Sequence, residues 1–237
     1  MAVTEEAAGG EALLLFARHP FAGEVKTRLA AGIGAANARR LYSCFLKDTA
    51  AQLRRLNCGV FVFFTPASAG REFRDFLGAD LACLPQEGDT LGERMKNAFR
   101  AVFDRGISRA VAIGSDLPGL NAGHLREAFA RLRESPAVIG PAPDGGYYLL
   151  GLRAEVFPGE VFDDITWSTG VVFAETMARF RKMNVSPAVL GSLSDIDDLA
   201  DLKRFYGDKE RGRTAPATME FISRALGGLA PYETFQN

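Results

Sequence analysis

Short unbroken apolar runs alternate along this chain with longer stretches in which apolar residues recur at helical spacing. That alternation is the pattern of an α/β fold built around a mostly parallel sheet. Ala12 to Ala17 (ALLLFA), Gly59 to Phe64 (GVFVFF), Ala110 to Ile113 (AVAI) and Ala137 to Gly140 (AVIG) do not alternate with polar residues, which predicts strands buried on both faces. Weaker strands are predicted at Leu81 to Leu84 and Pro187 to Leu190. Gly145 to Leu152 (GGYYLLGL) opens on two glycines and predicts a strand that leaves the regular alternation. Between the first two runs, Leu41, Phe45, Leu53 and Leu56 fall near one helical face, with Arg39, Arg40, Lys47, Arg54 and Arg55 on the others, as in a docked amphipathic helix. Further helices are predicted over Arg71 to Leu77, Thr90 to Phe103, Ala122 to Arg133, Thr169 to Lys182, Leu199 to Tyr206 and Thr218 to Leu226.

No internal repeat, low-complexity tract or linker interrupts the pattern before Gly207. The expected organisation is a disordered leader over residues 1–11, one domain over 12–206, and a loop with a short helix over 207–237. A length of 237 residues suits one α/β domain, and 47% hydrophobic against 24% charged residues suits a full core. Lys plus Arg number 28 and Asp plus Glu 29, a net charge of -1, so no global field draws the protein to nucleic acid or an anionic membrane. Met1 to Ala12 lacks the basic start and apolar core of a signal peptide, and no apolar run approaches the roughly 20 residues that span a bilayer. Cys44, Cys58 and Cys83 are odd in number and contain no CxxC, which fits neither a disulfide framework nor a zinc cluster and points to the cytoplasm. With only His19 and His124 present, chemistry is expected to rest on carboxylates, Lys and Arg.

Several segments carry candidate chemistry, each with a structural alternative. After the first strand the chain reads RHPFAGEVKTRL (Arg18 to Leu29), and a loop at that end of a parallel strand is where open α/β sheets bind ligands. Lys26 and Arg28 can neutralise phosphates there, or simply be solvated around a Pro/Gly turn; neither GxxxxGK[ST] nor GxGxxG is present. Asp116 ends a buried strand in IGSDLPG, a placing that suits a Mg²⁺ ligand and equally a turn or helix cap. Ser115 beside it is not in a GxSxG elbow. Asp144 with Gly145 and Gly146 fits a tight hairpin turn, or a place where backbone N–H groups approach a ligand. Trp167 can stack on a ring or pack, and Ser168 reads as an N-cap at a Ser/Thr helix start. In SDIDDLADL, Asp195, Asp197 and Asp198 precede a helix, where acids favour the dipole and where one of them can complete a metal site with Asp116.

The ordered set KTRL, QxGDxLGERM, GSDLPGL, DGGYYLLGL, ITWST and SDIDDLADL, spanning about Leu13 to Phe205, closely resembles one family. This is the glycosyltransferase-like family of bacterial proteins often found with radical-SAM and arsenosugar-biosynthesis genes, within the nucleotide-diphospho-sugar transferase (GT-A) superfamily. It is related to the guanylyltransferases that act on 2-phospholactate and molybdopterin. The resemblance implies a three-layer, Rossmann-like GT-A fold and a nucleotide bound at the carboxyl ends of the first strands. It implies that Arg18, Gly23, Lys26, Arg28, Gln86, Gly88 and Ser115 bind nucleotide and phosphate. Asp116, with Asp195 or Asp197, would hold Mg (or Mn), while Asp144, Gly145, Gly146, Trp167 and Ser168 would face the acceptor. Lys26, Asp116 and Asp144 are then the expected catalytic residues. The glycine-rich LAAGxGxRM loop of the superfamily's nucleotidyltransferases is absent, and a single Asp116 stands where a DxD triplet is common. The leading expectation is Mg-dependent sugar transfer from a nucleotide-sugar to a small-molecule acceptor. Nucleotidyl transfer with release of pyrophosphate, and a non-catalytic nucleotide-binding protein, are the alternatives.

Overall fold

The computed structural model describes residues 10–21, 25–157 and 159–227. Seven strands form one sheet in the order β3-β2-β1-β4-β6-β5-β7. They are β1 (Glu11–Arg18), β2 (Gly59–Thr65), β3 (Ala82–Pro85), β4 (Arg109–Gly114), β5 (Ala137–Pro141), β6 (Tyr147–Arg153) and β7 (Ala188–Val189). β6 pairs antiparallel with β4 and β5, and the other pairings are parallel. Strand order reverses beside β1, so β1 and β4 open a crevice at their carboxyl ends.

Successive residues of β1 serve opposite faces of the sheet. Leu13, Leu15 and Ala17 join one buried cluster, Ala12 and Leu14 the other. The first face is covered by α1 (Thr27–Ile33), α2 (Ala35–Leu53), α3 (Gly70–Leu77), α5 (Ala122–Glu134), α7 (Leu199–Gly207) and α9 (Pro216–Ala225), through residues such as Leu29, Phe45, Phe73, Leu125, Leu202 and Ile222. The second is covered by α4 (Leu91–Phe103) and α6 (Val172–Lys182), through Met95, Phe99 and Phe180. The expected three-layer α/β architecture is present. Capping boxes fix three helix starts: Thr90 with Glu93 for α4, Asn121 with His124 for α5, and Asp198 with Asp201 for α7.

Some expectations change. Glu11, assigned to the leader, is a buried β1 residue paired with Arg109 and Arg133; residues 1–9 lie outside the described residues. The segment after Gly207 holds two helices among its described residues, where a loop and one short helix were expected. α8 (Lys209–Gly212) leads into α9, and α9 lies against α2, where the Asp48 carboxylate accepts the Ala217 and Thr218 N–H groups at 3.0 and 2.8 Å. α9 has Ala215 at its N-cap and no side-chain cap of its own, so α2 supplies the missing acceptor. The KTRL segment, read as loop, forms α1 after Lys26; seven residues are too short to show a helical period in sequence. α6 begins at Val172, not at Thr169. Ser168 takes a left-handed φ of 64° and caps nothing, because Thr166 to Thr169 close a separate turn in which the Thr169 hydroxyl donates to the Thr166 carbonyl.

Candidate active site at the carboxyl edge of the sheet

Asp116 lies two residues beyond the end of β4, and the N–H of Ile196 donates to its carbonyl at 3.1 Å. That bond ties the β4 end to the SDIDD loop. Asp201 steadies the loop from the other side, its carboxylate accepting the N–H groups of Asp197 and Asp198 at 3.0 and 3.1 Å. Asp116 and Asp197 are thereby held facing one another, and Lys26 stands between them. Its ammonium lies 3.0 Å from Asp116 Oδ2 and 2.8 Å from Asp197 Oδ1, with the lysine side chain only 7% exposed. Burial works to lower the Lys26 pKa, but the two carboxylates outweigh it and raise the pKa above the ordinary lysine value. Lys26 is a fixed positive charge. Its backbone is left-handed, with φ 51°.

Around this bridge lie two clefts. A basic one of about 330 Å³ is lined by Arg18, Val25, Lys26, Thr27, Arg28, Tyr42, Asp116 and Asp197. A larger one, about 520 Å³, has apolar and aromatic walls from Phe16, Leu91, Met95, Tyr147 and Trp167, with Asp144, Gly146, Ser168 and Thr169 at its polar side. The two share Arg28 and Asp197. Arg28 is 70% exposed and reaches Asp197 and Asp198 at 3.5 and 3.6 Å, a loose hold that leaves it able to reorient toward an anion.

Asp195 is the site's other unusual acid. Burial, and then the like charge of Asp197, with Asp116 and Asp144 adding to it, push its pKa up to about 6, while Lys26 acts in the opposite sense. The site therefore holds more negative charge than its lysine balances. An all-carboxylate donor set of this kind fits a hard divalent cation, which takes oxygen ligands and needs only one or two carboxylates beside phosphate and water. Lys26 holds Asp116 and Asp197, and Asp195 lines neither cleft but a third pocket with Arg204 and Arg211; no group of three His, Cys, Asp or Glu among the described residues is already spaced as a cage.

Not every expected site residue reaches these clefts. Gly23 lies outside the described residues. The Gln86 side-chain amide is spent on the carbonyls of Phe63 and Ala17 at 2.9 and 3.3 Å, locking the ends of β1 and β2, and Gly88 carries a φ of 124° while its carbonyl accepts from Arg94. Ser115 is buried and hydrogen-bonded to the Tyr42 hydroxyl at 2.7 Å; that hydroxyl also accepts the Arg18 N–H at 3.1 Å. Ser115 therefore braces the floor of the site. Asp144 and Gly145 make the expected hairpin turn between β5 and β6, and Asp144 also lines the larger cleft. Gly145 is not itself in the wall. A Cβ there would lie 1.9 Å from the Gly170 carbonyl oxygen, so only glycine lets the hairpin meet the turn before α6. Tyr42, Tyr147, Leu91 and Met95 were not legible as site residues, because each lies in an ordinary amphipathic helix or an apolar strand.

A doubly wound α/β sheet with charged loops gathered at its switch point defines a nucleotide-diphospho-sugar transferase fold. Residues 49–169 match the model of a family described as "Uncharacterized protein conserved in bacteria (DUF2064)", and the chain belongs to that family. Among solved structures it is similar to a candidate nucleotide-diphospho-sugar transferase from Desulfovibrio desulfuricans G20, at 32% identity and TM-score 0.88, covering 93% of this chain and 96% of that one. It shares the fold with a cytidylyltransferase from Leptospira borgpetersenii at 10% identity and TM-score 0.56, covering 96% of this chain and 99% of that one. It also shares the fold with the manganese complex of Rv0371C from Mycobacterium tuberculosis H37Rv at 15% identity and TM-score 0.52, covering 84% and 98%. No curated protein matches the chain. No helix among the described residues is long and apolar enough to cross a membrane.

Proposed function

We propose that this chain is a divalent-metal-dependent transferase that moves a sugar from a nucleotide-diphospho-sugar to a small-molecule acceptor. The observation that carries the reading is the junction of a basic cleft and an aromatic cleft at Arg28 and Asp197. A diphosphate in the first puts its attached group at the mouth of the second. Arg18, Lys26 and Arg28 bind the phosphates, with guanidinium forks suited to their oxygens. Asp116, with Asp195 or Asp197, would hold Mg²⁺ or Mn²⁺, which when bound neutralises charge on the departing diphosphate. Trp167 and Tyr147, whose ring centroids are 6.4 Å apart, offer flat apolar walls for a sugar ring or an acceptor. Asp144 orients the acceptor hydroxyl and takes its proton as the new bond forms. Holding both partners across one junction supplies the alignment that the transfer needs. A volume of about 520 Å³ for the larger cleft is that of a small-molecule site.

A second reading is nucleotidyl transfer. Three cations on one wall suit a triphosphate as well as a diphosphate, and the acceptor would then attack the α-phosphorus with pyrophosphate leaving. Incubation with panels of NDP-sugars and NTPs, with Mg²⁺, with Mn²⁺ and without metal, separates the two. Metal-dependent release of a nucleoside diphosphate is expected. Pyrophosphate release from an NTP, with no turnover of any NDP-sugar, overturns sugar transfer in favour of nucleotidyl transfer. Nucleotide binding without turnover, unchanged in Asp116→Ala, would make the protein a non-catalytic binder. Trp167 is the only tryptophan, so its emission reports directly on the larger cleft during these titrations.

A further inference from the structure

The cation between Asp116 and Asp197 is a side chain of the protein itself. Both acids are fixed by backbone: Asp116 through the Ile196 N–H, and Asp197 through Asp201. The lysine is the adjustable partner. It sits at the N-terminal edge of α1 with no side-chain cap to anchor that turn, in a left-handed backbone conformation that a non-glycine residue adopts only when its surroundings hold it there. Among the described residues the two ion pairs hold its side chain, and the Ala30 N–H donates to its carbonyl at 2.8 Å. A polyphosphate entering the basic cleft meets the same ammonium, because Lys26 also lines that cleft with Arg18 and Arg28.

We propose that Lys26 is the resident counter-ion of the site and makes metal and phosphate bind together. A divalent ion arriving alone must compete with an ammonium already seated 2.8 and 3.0 Å from its carboxylates. A phosphate chain arriving alone must draw that ammonium away from them and leave them facing each other unbalanced. When both arrive, the phosphates take Lys26 and the metal takes the released acids, so each ligand removes the obstacle to the other. By linkage the two affinities then rise by the same factor. A bare metal would leave the site largely unchanged, and the reactive arrangement would assemble only around a bound polyphosphate. This inference rests on the metal-dependent transferase reading above.

The test uses the full chain, Mn²⁺ as the metal and inorganic pyrophosphate as the phosphate probe, followed by water-proton relaxation enhancement, which distinguishes protein-bound Mn²⁺ from its complex with free pyrophosphate. In the unsubstituted protein, pyrophosphate is expected to tighten Mn²⁺ binding at least tenfold. In Lys26→Met, Mn²⁺ alone is expected to bind at least tenfold more tightly than in the unsubstituted protein, while pyrophosphate binds more weakly and its help to the metal shrinks. A merely structural lysine would not move the two affinities in opposite directions. Lys26→Gln, neutral but still able to hydrogen-bond both acids, carries the same comparison if Lys26→Met does not fold. If pyrophosphate promotes Mn²⁺ binding in the unsubstituted protein but neither variant gains affinity for Mn²⁺ alone, the counter-ion role is overturned and the transferase reading stands. If the unsubstituted protein holds no Mn²⁺ even with pyrophosphate, both fall.

Discussion

Asp48→Ala tests the way the C-terminal helix is built into the domain. Asp48 lies on α2, is 3% exposed, and accepts the Ala217 and Thr218 N–H groups at the start of α9. Burial raises its pKa even though those N–H groups act to lower it, so the substitution measures loss of the acceptors more than loss of a favourable charge. Alanine leaves two N–H donors in a packed junction without partners. Loss of a helix cap costs about 0.5–2 kcal/mol, and an unmet buried polar group about 1–3 kcal/mol, so the expected loss is about 3 kcal/mol. For a chain of this size that lowers Tm by about 6–12 °C. Asp48→Asn keeps one acceptor oxygen and should fall between the two proteins. Urea unfolding gives the free energy, and hydrogen exchange across α9 localises it. A loss below about 0.5 kcal/mol in Asp48→Ala, or unchanged protection of the α9 amides, would refute the reasoning.

Three further outcomes are expected. Gly145→Ala places its Cβ 1.9 Å from a backbone oxygen at a φ of 87°, so it should lose about 2–4 kcal/mol in chemical unfolding and shift Trp167 emission; a wild-type Tm would show that the hairpin yields freely. Asp195, its pKa pushed up to about 6 and so well above the ordinary aspartate range, favours the protonated form in the folded protein. Its contribution to stability is complete below about pH 4 and lost as pH rises through about 6, and after discounting for solvent screening it is worth about 1 kcal/mol; Asp195→Asn should flatten that part of the stability profile, and an unaltered slope would count against it. Asp116→Ala should weaken Mn²⁺-dependent nucleotide binding at least tenfold in calorimetry with little change in Tm, because its carboxylate is 38% exposed and paired with Lys26, with no helix N–H group to cap. A fall of several kcal/mol in stability would instead make it a structural residue.

Much of this protein was already written in the order of its residues. Unbroken apolar runs predict the parallel strands, because a strand covered on both faces has no polar side to show, and the glycines before Tyr147 announce the strand that turns antiparallel. Lys26, Asp116, Asp144, Trp167 and Asp197 were visible as residues at loops and strand ends, where side chains escape the core. Tertiary structure alone decided which of them meet. Asp116 and Lys26 are 90 positions apart, and Lys26 and Asp197 are 171 apart; only closure of the sheet and the Ile196 bond bring the three into one ion cluster. The same holds for the losses. Gln86 and Ser115 have the chemistry of ligand-binding groups, but packing directs one onto strand carbonyls and the other onto Tyr42. Periodicity records which side of an element is buried, and so it reveals layers. It carries no information on what faces a polar group across those layers, which is why the lysine between two aspartates, and the helix capped from across the core, had to come from the folded molecule.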